Sequence, residues 1–205
     1  LSVGTCTINA NSSTAASYTA SYIAAPQVSR SFAITQGSQV ITFGAQSNRT
    51  FSPGGMFVLS PTASSSASLA VSYASLTPAT CTIAGTTVTI VSAGTCTIEA
   101  SQDGNTLYSA AGDVTQSFTI NPAAQTITFP AQGAQSFAPG GSFAINPLAS
   151  ATSGLTVDYA STTPGVCMVA GTNVLIVTAG ACTISALQPG DQNYTAATPV
   201  NRNIT

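Results

Sequence analysis

The sequence repeats itself with a period of 86 residues. Cys81 recurs as Cys167 and Cys96 as Cys182, and the register between the two pairs holds without a gap. The segment "CTIAGTTVTIVSAGTCTIEA" at 81–100 therefore returns as "CMVAGTNVLIVTAGACTISA" at 167–186. Self-similarity at a fixed period is typical of a tandem array in which each copy is one structural unit.

The repeat predicts three domains. Residues 37–122 and 123–205 are the two longer copies, whereas residues 1–36 match only the last two strands of a copy. Cys6 corresponds to Cys96, so it is unpaired within the chain, and its expected partner would lie about 15 residues before Leu1. We expect either a window on a longer array or a half-domain that another molecule completes, because an incomplete sandwich cannot bury its core.

Each longer copy has the pattern of about seven short strands separated by Gly, Pro, Ser and Asn. Apolar and hydroxyl residues alternate along these strands, for example Val88 and Ile90 with Thr87 and Thr89. Strands of this number and spacing predict an all-β chain of tandem immunoglobulin-like β-sandwich domains. In the first longer copy the predicted strands lie near 39–43, 56–60, 68–74, 80–84, 87–92, 95–101 and 114–120.

The cysteines predict one intradomain disulfide in each longer copy, Cys81–Cys96 and Cys167–Cys182. In a flat three-stranded meander, Cys81 and Cys96 would flank the middle strand at about twice the 4.8 Å strand spacing. A disulfide requires Cα atoms roughly 4.4–6.8 Å apart, so the chain should cross between sheets at 92–94. Two thiols without a histidine cannot complete a tetrahedral metal site. Disulfides are typical of an oxidising compartment, which favours an extracellular or cell-surface location.

The composition excludes several partners. Charged residues make up 4% of the chain, against about 25% in ordinary domains. The surface is instead supplied largely by 27 Ser and 31 Thr. Nucleic acid binding needs several basic residues on one face, and the chain has only Arg30, Arg49 and Arg202. The apolar runs are too short to span a membrane.

Few residues of the chain are candidates for a catalytic or metal-binding role. The chain has no His and no Lys, so a serine nucleophile would have no base. The acids do not recur at matching repeat positions; they are Glu99, Asp103, Asp113, Asp158 and Asp191. We therefore expect no catalytic residue, no cofactor and no metal, and no enzyme. "QDGN" at 102–105 and "PGDQN" at 189–193 are the best calcium candidates, and a Gly-containing turn explains both more simply.

Three tyrosines, Tyr22, Tyr108 and Tyr194, recur before the last strand of each copy. A tyrosine in this place can pack its ring inward and hydrogen-bond a loop backbone, which is the role we expect. A sugar-stacking role is the alternative, although a residue that binds sugar need not recur in every copy.

Several segments resemble a known family. They are "QVITF" and "QTITF", "LTPATCTIAGTTVTIVSAGTCTIEASQDGNTLYSAA", and "VTQSFTI". Together they are similar to the bacterial immunoglobulin-like repeats that run in tandem through large secreted or cell-surface proteins, including adhesins. The resemblance covers the whole chain, and it implies a β-sandwich in a stalk or fibre outside a bacterial cell, with no catalytic residues.

The expected function is that of a non-enzymatic, semi-rigid stalk or fibre segment. The linkers "TQGS" at 35–38 and "NPAA" at 121–124 are too short to let neighbouring sandwiches swing freely. Neighbouring repeats of the same protein are the expected partners. One alternative is a self-assembling filament subunit, because lysines that would protect sheet edges are absent. A less favoured alternative is a glycan-binding module with exposed polar loops.

Overall fold

A computed structural model describes residues 2–12, 16–17, 20–21, 23–138 and 140–205, and only the backbone of 16–17 and 20–21. Every regular element in this described part is a β-strand. The all-β prediction is therefore confirmed.

The N-terminal part of the described chain is a hairpin. Strand β1 (Gly4–Ala10) pairs antiparallel with β4 (Val28–Ile34). Between them, the two-residue strands β2 (Ala16–Ser17) and β3 (Ala20–Ser21) pair with each other. The described side chains of β1 and β4 are exposed, apart from the half-buried Cys6. Among the residues that the structure describes, no sheet packs against this hairpin.

A first sandwich follows, with a three-stranded sheet in the order β10-β11-β7 and a four-stranded sheet in the order β6-β13-β12-β9. All pairings are antiparallel except that of β6 with β13. Strands β5 and β8 form a separate pair. The strands are β5 (Ile41–Thr42), β6 (Arg49–Thr50), β7 (Met56–Val58), β8 (Ser64–Ser65), β9 (Ser72–Ser75), β10 (Cys81–Ala84), β11 (Thr87–Ile90), β12 (Gly94–Ser101) and β13 (Val114–Asn121).

A second sandwich repeats this plan. Its sheets have the orders β15-β19-β18 and β17-β20-β21, and β14 pairs with β16. The strands are β14 (Ile127–Thr128), β15 (Ser142–Ala144), β16 (Ser150–Ala151), β17 (Asp158–Ser161), β18 (Cys167–Ala170), β19 (Asn173–Ile176), β20 (Cys182–Leu187) and β21 (Val200–Ile204).

Each sandwich encloses its own core, and alternation decides which side chains enter it. Cys81, Val88, Cys96 and Ile98 are fully buried in the first core, whereas the neighbouring threonines point outward or are half-buried. The second core is built in the same way around Cys167, Val174 and Ile184, among others. Apolar burial on this scale is the main favourable term in folding.

A disulfide joins the two sheets of each sandwich. Cys81 lies on β10 and Cys96 on β12, which belong to different sheets, and their Cα atoms are 5.7 Å apart. The Cα atoms of Cys167 and Cys182 are 5.6 Å apart in the equivalent place. The chain crosses between the sheets around residues 92–94, after β11 has ended at Ile90 and where β12 begins at Gly94. The predicted sandwich with one disulfide in each longer copy is therefore confirmed.

The structure adds detail that the sequence pattern did not predict. Strands β6 and β8 were not predicted, because two residues are too few to show alternation. The strand predicted near 68–74 is shorter and begins only at Ser72. The other six predicted strands are present, with ends that differ by up to two residues.

We predict that the double variant C81A/C96A lowers the free energy of unfolding of the first sandwich by about 3 kcal/mol, because the bond closes a loop with a sequence separation of 15 residues. Urea denaturation followed by NMR signals from Val88 and Val174 measures both cores in one sample. The urea concentration at the midpoint of unfolding should fall for the Val88 signal and stay unchanged for the Val174 signal. C6A is the matched control, and an unchanged Val88 midpoint would contradict a stabilising role for the bond.

Candidate functional site

The candidate site is built on the two loops that carry the recurring tyrosines. We name residues 102–111, between β12 and β13, the first tyrosine loop, and residues 188–197, between β20 and β21, the second tyrosine loop. In the second, Asp191 Oδ1 accepts hydrogen bonds from the backbone N–H groups of Asn193 and Tyr194, both at 2.8 Å. Asn105 holds the first loop in the same way through Leu107 and Tyr108. A side chain that accepts from the backbone fixes a turn of this kind.

A buried glutamine fastens each loop to the start of its own sandwich. Gln125 Nε2 donates to Gln188 Oε1 at 2.7 Å and to the carbonyl oxygen of Thr195 at 2.8 Å. Its Oε1 accepts from Ser153 Oγ at 2.5 Å. Gln39 makes the equivalent contacts with Gln102, Ser109 and Ser65. The side chains are buried and well partnered, so they hold the loops without any charge.

The linker between the two sandwiches, residues 121–124, is hydrogen-bonded to the second tyrosine loop. Ala123 N–H donates to the carbonyl oxygen of Asn193 at 2.8 Å, and Thr195 N–H donates to the carbonyl oxygen of Ala123 at 2.9 Å. The chain that enters the second sandwich is therefore bonded to the loop that faces the first sandwich. This limits the freedom of the linker.

Two side chains of the second tyrosine loop bind the crossing of the first sandwich at 92–94. Ala93 N–H donates to Asn193 Oδ1 at 2.8 Å, and Gln192 Nε2 donates to the carbonyl oxygen of Ala93 at 2.9 Å. Ala93 is buried. Both backbone polar groups of a buried residue are thus satisfied by the neighbouring sandwich, which a folded protein requires of buried backbone groups.

An aromatic pair completes this contact, which we name the junction. The rings of Tyr194 and Phe51 are nearly perpendicular, at 88°, with centroids 5.5 Å apart. Tyr194 and Ala123 both pack against the first core, and Phe51 is only 7% exposed. Edge-to-face pairs of this kind add about 0.5–1.5 kcal/mol beyond the area they bury. The junction therefore has an apolar centre beside two hydrogen bonds.

The recurring tyrosines were expected to pack the ring inward and to hydrogen-bond a loop backbone, and the Tyr194 ring does pack against a core, but that core belongs to the other sandwich. The loop that carries Tyr194 contacts the preceding sandwich through Gln192 and Asn193 as well. Among the described tyrosines, the hydroxyls of Tyr73 and Tyr159 bind a loop, accepting from Ala63 and Ala149 N–H at 2.7 Å each. Tyr108 is half-buried, and Tyr22 lies outside the described residues.

The remaining candidates form no cluster. Within the described ranges, no group of three or more His, Cys, Asp or Glu is close enough to hold a metal ion. The segments at 102–105 and 189–193 are parts of the two tyrosine loops, and the Asp191 carboxylate is engaged by backbone N–H groups. Cys6, on the hairpin, forms no disulfide with another described residue. No helix in the described part is long and apolar enough to cross a membrane.

Comparisons with known proteins return likenesses of structure only. No protein-family profile matches the chain, and no curated protein sequence matches it. A mouse cadherin-23 structure, EC22–24, is similar with a TM-score of 0.37 and 13% identity, over 100% of this chain and 73% of that one. The N-terminal part of the bacterial S-layer protein SbsC has a TM-score of 0.26 and 12% identity, over 81% and 44%. A C-terminal fragment of intimin has 0.25 and 15%, over 80% and 50%.

Gln192, Asn193 and Phe51 were not predicted from the sequence as junction residues. The signal was present in part, because Phe51 and Phe137 align across the repeat. An aromatic residue that recurs beside a turn can belong to a core or to a contact between copies, and alternation alone does not separate these.

We predict that G190A disrupts the junction and that G171A does not. Both glycines have a left-handed φ, +82° and +61°, so each alanine costs about 1–2 kcal/mol in backbone strain. Only at Gly190 would the new Cβ also collide with the carbonyl oxygen of Tyr194, which must move the loop. Hydrogen exchange of the Ala93 amide should accelerate in G190A and remain slow in G171A. Equal protection in both variants would contradict this account of the loop.

Proposed function

We propose that the chain is a non-enzymatic structural segment of a bacterial extracellular or cell-surface protein of adhesin type, in which tandem immunoglobulin-like repeats form a semi-rigid stalk or fibre. Residues 37–122 and 123–205 are its two immunoglobulin-like repeats, and residues 1–36 are the last part of another. The observation that carries the proposal is the junction, where the second tyrosine loop closes over the end of the first core.

The junction supports a semi-rigid rod because its contacts restrain both the bending and the twisting of one sandwich relative to the other. The hydrogen bonds to Ala93 and the ring contact with Phe51 arise from one loop, which is itself bonded to the linker. A rotation of the second sandwich about the linker would have to break these contacts together. Each repeat would then add roughly 35–45 Å of length, given strands of up to ten residues plus turns.

The proposed extracellular location is argued from the disulfides, and the proposed non-enzymatic role is argued from the composition. Two disulfides persist best in an oxidising compartment outside the cytoplasm. A surface of hydroxyls and amides with few charges offers neither a phosphate-binding patch nor a catalytic base. The assignment to bacteria rests on the resemblance of the repeat segments to bacterial surface repeats.

We predict that Y194A uncouples the two sandwiches and that Y194F leaves them coupled. Loss of the ring removes the edge-to-face pair and exposes Phe51, at a cost of about 2 kcal/mol to the junction. Phenylalanine keeps the ring and therefore the contact. Residual dipolar couplings measure the alignment of each sandwich: one shared alignment tensor is expected for the native chain and Y194F, and two different tensors for Y194A.

The same residual dipolar couplings can contradict the proposal of a semi-rigid rod. Two independent alignment tensors in the native chain would mean that the sandwiches move freely, and a flexible tether would then replace the semi-rigid stalk. Unfolding of either core by Y194A is detected separately, because the amide shifts of Val88 and Val174 report the two cores.

A second candidate function is a subunit of a self-assembling extracellular filament. The observation in its favour is the inner face of the β1–β4 hairpin. Ile8 is 59% exposed and Phe32 52% exposed, whereas their counterparts in the first sandwich, Ile98 and Phe118, are 0% and 3% exposed. An exposed apolar face of this kind is typical of an interaction surface. In a filament, a neighbouring molecule would cover it.

For the filament we predict concentration-dependent association that F32S weakens and L148S does not. Phe32 and Leu148 are similarly exposed, but only Phe32 lies on the hairpin face. Sedimentation velocity over rising protein concentration measures the association, and F32S should raise the dissociation constant about tenfold or more. A native chain that stays monomeric at millimolar concentration would rule out assembly through this face and leave the stalk as the single candidate.

A further inference from the structure

Two segments of the first sandwich run side by side in the same direction. We name residues 37–51, which bring the chain into the sandwich, the entering segment, and residues 107–121, which take it out, the leaving segment. The two segments are in parallel contact near both of their ends, and the partners are Gly37 with Tyr108, Arg49 with Ile120 and Thr50 with Asn121. The same number of residues separates the two contacts in each segment, so one register holds throughout.

Side chains tie the segments together between these two contacts. Gln116 Nε2 donates to the carbonyl oxygen of Phe43 at 2.7 Å, and Asn48 Oδ1 accepts from the N–H of Thr119 at 2.9 Å. Further bonds lie at the two ends, from Gly37 N–H to the Leu107 carbonyl, from Ser109 N–H to the Gly37 carbonyl, from Gln39 Nε2 to the Ser109 carbonyl and from Phe51 N–H to the Asn121 carbonyl. We name all of these bonds, with the β6–β13 pair, the clamp.

The clamp recurs in the second sandwich. Ala123 is in parallel contact with Tyr194, as Gly37 is with its own partner. Arg202 Nε donates to the carbonyl oxygen of Phe129 at 2.7 Å. Arg202 stands where the first copy has Gln116, so two chemically different side chains make the same bond. The contact is therefore a feature of the repeat and does not depend on one residue type.

Tension along the chain loads the clamp in shear. It pulls the entering segment backwards and the leaving segment forwards, so that the two segments are drawn past each other. Because the segments are parallel and in one register, all the bonds between them resist this sliding together. In an antiparallel hairpin that is pulled apart at its open end, the bonds instead break one after another. The clamp can therefore fail only when several bonds break in one event.

The inner side of the clamp is closed to water. Phe43 and Phe51 of the entering segment and Ile120 of the leaving segment are buried, and Gln39 is only 6% exposed. Where water has no access, it cannot replace a protein hydrogen bond that is being stretched. Rupture of such a bond leaves a buried donor or acceptor without a partner, which raises the free energy needed for rupture.

We propose that bearing tension is a further function of this repeat and that the clamp is the contact that carries it. In the first sandwich, the side chains that carry the tension are Gln39, Asn48 and Gln116. This rests on the proposed function only in that a stalk or fibre transmits the tension, since the clamp lies within one sandwich.

The disulfide limits how far the chain extends once the clamp has failed. Cys81 and Cys96 both lie between the entering and leaving segments along the chain, so the bond holds the residues between them out of the stretched chain. A sequence separation of 15 residues corresponds to about 50 Å of extended chain that is not released.

The test is single-molecule force spectroscopy of the full chain, held by a handle at each terminus under constant tension. Each sandwich should unfold in a single step, because the bonds of its clamp fail together. C167A/C182A serves as the reference chain. Its second sandwich should release about 50 Å more than the first, since the lost bond has a sequence separation of 15 residues, and this distinguishes the two steps.

Q116A and Q46A, each made in the reference chain, are the matched pair. Gln46 is also bonded through its amide to backbone groups, but its partners Gly44, Ser60 and Pro61 lie outside the leaving segment. Both variants should lower the urea concentration at the midpoint of unfolding. Under tension, Q116A should raise the unfolding rate of the first sandwich about fivefold or more, because its bond is lost in the transition state. Q46A should leave that rate nearly unchanged.

Two outcomes would overturn the proposal. One is an equal acceleration by Q116A and Q46A under tension, which would show that the clamp carries no more of the tension than other bonds do. The other is detachment of the entering segment in small steps before the rest of the sandwich unfolds, which would show that the bonds are loaded singly. Neither outcome affects the semi-rigid rod, because the residual dipolar couplings that test it are measured without tension.

Discussion

The chain of the first sandwich crosses from one sheet to the other around residues 92–94. The disulfide between Cys81 and Cys96 requires this crossing, because it joins strands that belong to different sheets. The crossing also takes the backbone of Ala93 out of both strand ladders. A buried backbone group without a partner costs free energy, and the second tyrosine loop supplies both partners. The bond that stabilises one sandwich thus shapes the surface on which the next one rests.

The contacts that form the junction and hold the tyrosine loops involve almost no charged groups, and this determines how they respond to salt. Gln125, Gln192 and Asn193 act through neutral amides, and Tyr194 acts through its ring. Ionic contacts at an exposed surface weaken as salt rises, whereas neutral hydrogen bonds and buried rings are little affected. A stalk that works outside the cell meets variable ionic strength, so such a junction suits the proposed function.

The sequence predicted the elements whose signal is local. Alternation marked β10, β11 and β12, and the spacing of Cys81 and Cys96 was enough to predict the crossing, because a disulfide tolerates only a narrow range of distances. The partner of Tyr194 could not be predicted in the same way. Phe51 lies in another copy. The sequence pattern of either copy alone is the same whether the Tyr194 ring packs within its own copy or against the neighbouring copy. Strand β6 was missed because its pairing with β13 depends on tertiary contact rather than on a run of alternating residues.

Equivalent positions in this chain differ in burial according to what lies beside them in the array. Phe51 is 7% exposed beneath the second tyrosine loop, whereas its equivalent Phe137, which has no such loop beside it in the described structure, is 52% exposed. The sequence of each copy is nearly constant at these places, so the difference comes from the neighbours. In a repeat array, stability is a sum of a term for each copy and a term for each contact between neighbours. A copy with a neighbour at both ends has two contact terms and a copy at an end has one. Under the proposed function, each added copy would therefore also stabilise the copies beside it.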